Sequence, residues 1–290
     1  MVPLNAVTLR EIPRVLSIAG TDPTGGAGIH ADLKSIAALG GYGMAVVTSL
    51  VAQNTRGVRS VYTPPASFLI EQLDAVSDDV AIDAVKIGML GDAATIDVVR
   101  DWLYRVQPPL VVLDPVMVAT SGDRLLASDA EARLRELVSC ADLVTPNLPE
   151  LAVLVDEPVA ADWPAALEQG RKLSEARGTT VLVKGGHLAG ESSPDALVDY
   201  TSRGGGAVEG VVEFASPRVA TKNTHGTGCS LSSAIATTMA QTGNWADAVS
   251  QAKDWLQDAI IHADALEVGQ GSGPISHFHR LWTAAKSRTE

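Results

Sequence analysis

In "NTHGTGCSL", residues 223–231, the tight-turn residues Gly226, Thr227 and Gly228 run into Cys229 and the charge-free segment "CSLSSAIATTMAQ". A glycine turn opening a small-residue helix leaves the first helical N–H groups without intrahelical partners and presents the positive end of the helix dipole. Such a junction suits an anion. Cys229 sits at its mouth, and two readings stand: a small core residue, or a thiol whose pKa the site lowers for chemistry.

Segments of similar character recur. "AGTDPTGGAG" (19–28), "AQNT" (52–55), "IGMLG" (87–91), "DPVM" (114–117), "TPNLPE" (145–150) and "KGGH" (184–187) are polar or glycine-rich, and each follows an apolar run. Taken singly, most have a plain explanation. Gly25, Gly26 and Gly28 shape a turn, Asp32 caps a helix or lies in a solvated first turn, and Gln53 and Asn54 satisfy loop backbone. Asn147 and Glu150, three apart, fit a helix N-terminal capping box. Asp114 ends the run "LVVL" before a proline, so its carboxylate needs a partner, with a cation among the candidates. Lys184 ends "TVLV", where a phosphate would neutralise it, and Gly185 and Gly186 leave room for a ligand.

The elements that must position these residues alternate along the chain. Apolar β-type runs lie at 14–20, 43–52, 83–90, 110–117, 142–147 and 179–187. Between them, "IHADLKSIAALG", "ASFLIEQLDAVSDD", "ATIDVVRDWLYRV", "SDAEARLRELVSCA" and "WPAALEQGRKLSEARG" place apolar residues three and four apart, as amphipathic helices do. Near-continuous apolar strands separated by helices predict a three-layer αβα fold around a doubly wound, mainly parallel sheet. "DALVDYTS" and "VVEFASPRVAT", flanking "RGGGAVEG", predict an antiparallel hairpin at the sheet edge, followed by helices over 228–242 and 245–268. No linker or repeat divides the chain, so we expect an N-terminal tail over 1–13 and a single domain over 14–290. In such a sheet, ligands gather at the carboxyl ends of the strands, where the polar segments fall.

Composition narrows the partners. A net charge of −12 argues against a nucleic-acid binder, and no apolar run approaches the length of a membrane span. Two cysteines, Cys140 and Cys229, and a charged N-terminus without an apolar block fit a cytoplasmic protein. "GTDPTGGAG" matches neither the P-loop nor the dinucleotide-binding pattern, and zinc-protease and hydrolase signatures are absent.

In their order, "AGTDPTGGAGIHADLKSIAALGGYGMAVVTSLVAQNT", "KIGML", "VLDPVM", "TPNLPE", "VKGGH", "NTHGTGCSLSSAIA" and "GQGSGPISHFH" resemble the hydroxymethylpyrimidine/phosphomethylpyrimidine kinases of thiamine biosynthesis. These are members of the ribokinase-like superfamily, and the resemblance covers about residues 14–280. It implies transfer of the ATP γ-phosphoryl group to 4-amino-5-hydroxymethyl-2-methylpyrimidine, then to the resulting monophosphate. It also implies that Gly226, Thr227, Gly228 and the Cys229 N–H form an anion hole. By the same resemblance, Cys229 stands where most ribokinase-like sugar kinases carry Asp, and a thiolate favoured by the helix N-terminus would take the hydroxyl proton or help orient it. Gln53 would read the pyrimidine through its amide, Gly20 would let the ring approach the backbone, and Asp32 would accept hydrogen bonds from the substrate. Met89 and Val116 would supply apolar walls. Asp114 and Glu150 would organise Mg²⁺, while Asn147, Asp114 and Lys184 would face the ATP phosphates. A homodimer through the early sheet region is implied as well. The competing readings are a pyridoxal kinase of the same fold and a non-catalytic pyrimidine-binding protein.

Overall fold

In the computed structural model, residues 9–119, 122–188, 190–201 and 210–286 are described. The apolar runs form strands β1 (Arg14–Ala19), β2 (Tyr42–Val47), β3 (Leu50–Asn54), β4 (Gly57–Tyr62), β5 (Ala84–Ile87), β6 (Val111–Leu113), β7 (Leu143–Val144), β8 (Thr180–Lys184), β9 (Ser192–Asp199) and β10 (Gly210–Pro217). The helices are α1 (Gly28–Ala38), α2 (Ala66–Ser77), α3 (Ala93–Val106), α4 (Glu131–Leu137), α5 (Leu148–Val155), α6 (Trp163–Arg177), α7 (Thr227–Thr242), α8 (Trp245–Ile261) and α9 (His279–Lys286).

Eight strands make one sheet in the order β10-β9-β8-β7-β6-β5-β1-β2, parallel from β8 to β2, with β9 antiparallel to both of its neighbours. The strand order reverses direction between β1 and β5, so a crevice opens beyond their carboxyl ends. Strand alternation divides the core into two layers. Leu16, Ile18, Val85, Ile87, Val111 and Leu113 pack with α2 to α6 on one face. Val15, Ala84, Val112, Leu143 and Leu182 pack with α1, α7 and α8 on the other. The same period of two carries a second pattern. On the α7 face, two residues on from Val15, Ala84, Val112, Leu143 and Leu182 stand Ser17, Lys86, Asp114, Thr145 and Lys184. A polar row thus crosses an otherwise apolar sheet near the strand ends.

The run expected as one strand over 43–52 is two. After Val47 the chain leaves the sheet: the Thr48 N–H makes a last bond to Ala19 of β1 at 3.0 Å, while Thr48 Oγ1 donates to the Met89 carbonyl at 2.7 Å and the Thr21 N–H donates to the Ser49 carbonyl at 2.9 Å. β3 then pairs antiparallel with β4 in a separate two-stranded sheet, with a bulge between Ala52 and Gln53. The expected edge hairpin is β9–β10, and its glycine-rich turn at 203–209 lies outside the described residues. α8 stops at Ile261 rather than 268, where a 3₁₀ turn and the left-handed Glu267 follow. Of the tail, Arg10 reaches Asp83, which Arg14 also holds, so this part lies against the body.

Candidate functional site

The strand ends open into a cavity of about 870 Å³. Gly20, Gln53, Met89 and Val116 line one part of it; Asp114, Asn147, Glu150 and Lys184 line another. Gly226, Thr227, Gly228 and Cys229 complete the wall. Gln53 follows the β3 bulge, and among the described residues its side-chain amide has no hydrogen-bond partner. Gly20 lies against Met89, whose Sδ would be 3.1 Å from any Cβ placed there.

α7 begins at Gly226, a left-handed residue (φ 78°) that supplies no side-chain cap. Ser230 is the first residue whose N–H donates back into the helix start, to Gly226 at 2.9 Å. Among the described residues, the Gly228 and Cys229 N–H groups find no backbone acceptor, and both residues line the cavity. A Cβ on Gly226 would come within 1.8 Å of the Gly26 carbonyl oxygen, so the loop before α7 packs backbone-to-backbone on the loop after β1. Asp22 locks the two loops: it accepts from the N–H groups of Thr24, Gly26 and Ala27 and lies 2.8 Å from His225 Nε2. Burial pushes its carboxyl up, but His225 and Thr24 hold it well below the usual range. Asp22 was hidden inside a glycine motif; its turn-forming place before Pro23 was the available signal.

Beside this helix start stand the charged groups. A Cβ on Gly228 would lie 3.4 Å from Lys184 Nζ and 3.5 Å from Asp114 Oδ2. Asp114, buried to 2% exposure, accepts from Lys184 Nζ at 3.0 Å and Thr145 Oγ1 at 3.1 Å. Burial raises its pKa, but the charges of Lys184 and Lys86 prevail and keep it ionised. Asn147 and Glu150 do form the capping box of α5: the Glu150 N–H donates to Asn147 Oδ1 and the Asn147 N–H to Glu150 Oε2, both at 2.9 Å. Capping and cavity lining coexist here. Burial lifts Glu150 to about 7, with the Asp114 charge adding to the rise and Lys184 opposing it.

Two expectations need correction. Asp32 does not line the cavity; it is fully buried beneath it. Its oxygens accept from Ser17 Oγ at 2.6 Å, Lys86 Nζ at 2.8 and 2.9 Å and Ser233 Oγ at 2.8 Å, leaving no capacity for a substrate. Cys229 is not a thiolate at neutral pH. Burial pushes its thiol up to about 11, which Lys86 and a backbone hydrogen bond from Gly28 only partly offset. Lys86 itself escaped notice because one lysine in "DAVKIGML" does not break an apolar strand.

A cavity at the switch point of a doubly wound sheet, joining a free helix start to a lysine and two carboxylates, defines a ribokinase-like small-molecule kinase architecture. The fold is similar to that of Bacillus subtilis pyridoxal kinase in an ADP complex, with a TM-score of 0.82 and 30% identity, covering 93% of this chain and 99% of that one. The chain belongs to the phosphomethylpyrimidine kinase family, whose model matches residues 22–276. It is 53% identical over 268 residues to the hydroxymethylpyrimidine/phosphomethylpyrimidine kinase of Escherichia coli K12, covering 92% of this chain and 98% of that protein. It is 57% identical over 276 residues to the thiamine biosynthesis multifunctional protein ThiED of Corynebacterium efficiens, covering 94% of this chain but 36% of that protein. The chain therefore spans about a third of the length of that multifunctional relative. Among the described residues, no helix is long and apolar enough to cross a membrane.

The Glu150 environment makes a stability prediction. Its folded pKa of about 7 exceeds the ordinary 4.5, so the native state holds the proton more tightly and loses stability as pH rises between those values. Glu150→Gln preserves the capping geometry and removes that loss. In urea denaturation without ligands, the variant should match the parent below pH 4.5 and exceed it by about 3 kcal/mol above pH 7.

Proposed function

We propose that the chain transfers the γ-phosphoryl group of ATP to the hydroxymethyl oxygen of 4-amino-5-hydroxymethyl-2-methylpyrimidine, and then phosphorylates that product again to the diphosphate. The observation that carries this reading is the meeting of Gly228 with Lys184 and Asp114 at the free start of α7. The family match supplies the acceptor class, because the Escherichia coli relative is named for both pyrimidine substrates.

In each transfer, the bond between the γ-phosphorus and the oxygen bridging to ADP breaks. A new phosphorus–oxygen bond forms to the acceptor, first the hydroxymethyl oxygen, whose proton is released, then a phosphate oxygen. The Gly228 and Cys229 N–H groups and the Lys184 ammonium stabilise the equatorial oxygens in passage. Gln53 orients the pyrimidine through its amide, with Gly20, Met89 and Val116 forming the walls. Cys229, held as a thiol, contributes a weak hydrogen bond and a close fit rather than a base. A loose phosphoryl transition state demands little prior proton removal, so a carboxylate at this position is dispensable. Asn147 would face the nucleotide phosphates.

Two neighbouring carboxylates, one keeping a proton to about pH 7 partly because of the other's charge, form a donor set that suits Mg²⁺. Asp114 and Glu150 would hold the ion together with phosphate oxygens, and when bound it neutralises charge on the nucleotide. We also propose a homodimer: Tyr42, Leu50, Val61, Tyr62, Phe68 and Ile70 are exposed apolar residues of β2, the β3–β4 hairpin and α2. Sedimentation velocity should give twice the 30.2 kDa chain mass, and a monomer at micromolar concentration would contradict it.

Pyridoxal kinase is the second reading, favoured by the TM-score of 0.82 to such an enzyme. Incubation with ATP and Mg²⁺ and either pyrimidine or pyridoxal, followed by mass spectrometry, separates the two. Phosphorylation of both pyrimidines is expected, with pyridoxal slow. Pyridoxal alone as acceptor would transfer the assignment to the second reading, and no product from any would leave a binding protein. In the same assay Cys229→Ser should keep turnover within about tenfold, whereas a loss of about a thousandfold would return the thiol to the role of base.

A further inference from the structure

Lys86 and Asp32 are fully buried charges to which the transfer reaction assigns no contact with substrate. A buried ion pair is seldom more stable than an apolar pair of similar size. Two residues earlier in the strands this face is built from Val15, Ala84, Val112, Leu143 and Leu182, and at the level of Lys86 it carries the polar row of Ser17, Asp114, Thr145 and Lys184. The pair needs another explanation, and its surroundings supply one.

The Asp32 carboxylate joins four elements. It belongs to α1 and accepts from Ser17 on β1, Lys86 on β5 and Ser233 on α7. Ser17 and Lys86 are register partners in the sheet, and Ser233 lies one helical turn beyond Cys229. The carboxylate therefore ties the start of α7 to the two strands that border the switch point. The ammonium lies toward the site. A Cβ on Gly88, the residue just beyond the carboxyl end of β5, would be 2.8 Å from Lys86 Nζ. Its charge acts on both Asp114 and Cys229, and at Cys229 it outweighs the opposing charge of Asp32.

We propose that Lys86 is a positioning residue for phosphoryl transfer: through Asp32 it holds the start of α7 in place and, as the site-facing end of the pair, keeps positive charge beneath the transferred group. This rests on the kinase reading above. A fixed ammonium in a water-poor interior stabilises charge arriving at the Gly228 and Cys229 N–H groups without having to reorient. Lys184 acts from within the cavity, Lys86 from beneath its wall.

The test uses the full chain with Cys140→Ser, so that thiol alkylation reports Cys229. Lys86→Met alone leaves a buried, unpaired carboxylate and is expected to lose stability, so the decisive variant is Lys86→Met with Asp32→Asn. That pair is neutral; the amide oxygen, at the Oδ1 position, still accepts from Ser233 Oγ, while the amide NH2 donates to Ser17 Oγ in place of the bond that Ser17 made to Oδ2. With the fold verified by urea denaturation, kcat should fall by about thirtyfold or more while KM for ATP and for the pyrimidine stays within about threefold. Iodoacetamide labelling of Cys229 at about pH 8.5 should slow severalfold, because the thiolate fraction falls when the nearer positive charge is gone. A folded variant with kcat and labelling rate within about twofold of the parent would overturn the proposal and leave the pair a purely structural tie.

Should the double variant unfold, Ser233→Ala decides, since it cuts only the tether to α7. A fall in kcat of about fivefold or more sustains the proposal, and an unchanged kcat contradicts it. Failure of the kinase reading is distinguishable: the parent itself would then form no product, while labelling of Cys229 would still report the charge beneath it.

Discussion

A helix cannot satisfy its own first N–H groups, and at the start of α7 those of Gly228 and Cys229 have no backbone acceptor among the described residues, in the wall of the cavity. The cap residue Gly226 has no side chain to offer, and the loop after β1 presses too closely for one to fit. Asp22 supports that contact by taking up the N–H groups of its own loop and engaging His225. The helix behind is composed largely of Ala, Ser and Thr, and Ser230 to Ala240 are all buried. Small side chains let it lie against the sheet, so its N-terminus arrives at the strand ends in a defined position.

That arrangement determines where charge can be tolerated. Placing polar residues at one turn of the alternation, on one face only, brings Ser17, Lys86, Asp114, Thr145 and Lys184 beneath or beside the free helix start. Lys184 is shared with Asp114 and raises no isolated charge. Lys86 is shared with Asp32, and Ser233 links that pair to α7. A chain of net charge −12 thereby presents two paired ammonium groups beside a helix start to an anion, placed by the sheet register rather than by a basic surface.

Much of this was legible because strand ends in a doubly wound fold are where polar residues have no other reason to gather. Asp114 and Lys184 were conspicuous, each closing an apolar run. Cavity lining by Asn147 and Glu150 is compatible with their capping pattern, because a cap and a rim occupy the same place. Other features depended on depth, which sequence does not encode. Asp32 has the look of a surface cap, and only the packing of α1 against β1 and α7 buries it over Lys86. The Cys229 thiol was expected to be acidic from the helix terminus alone, yet burial there outweighs the nearby positive charge. The run over 43–52 reads as one strand because β3 is as apolar as β2; the side-chain and backbone bonds of Thr48 and Ser49 divide it.

The claim on which the account turns is that the Gly228 and Cys229 N–H groups receive the phosphoryl group in transit. Amide-resolved NMR of the deuterated, ¹⁵N-labelled protein tests it, comparing MgADP plus pyrimidine with the same mixture after addition of aluminium fluoride as a mimic of the transferring group. The account predicts large downfield proton shifts confined to these two amides and their immediate neighbours when the fluoride complex forms. Unshifted Gly228 and Cys229 resonances, with the fluoride complex bound and other amides responding, would contradict it.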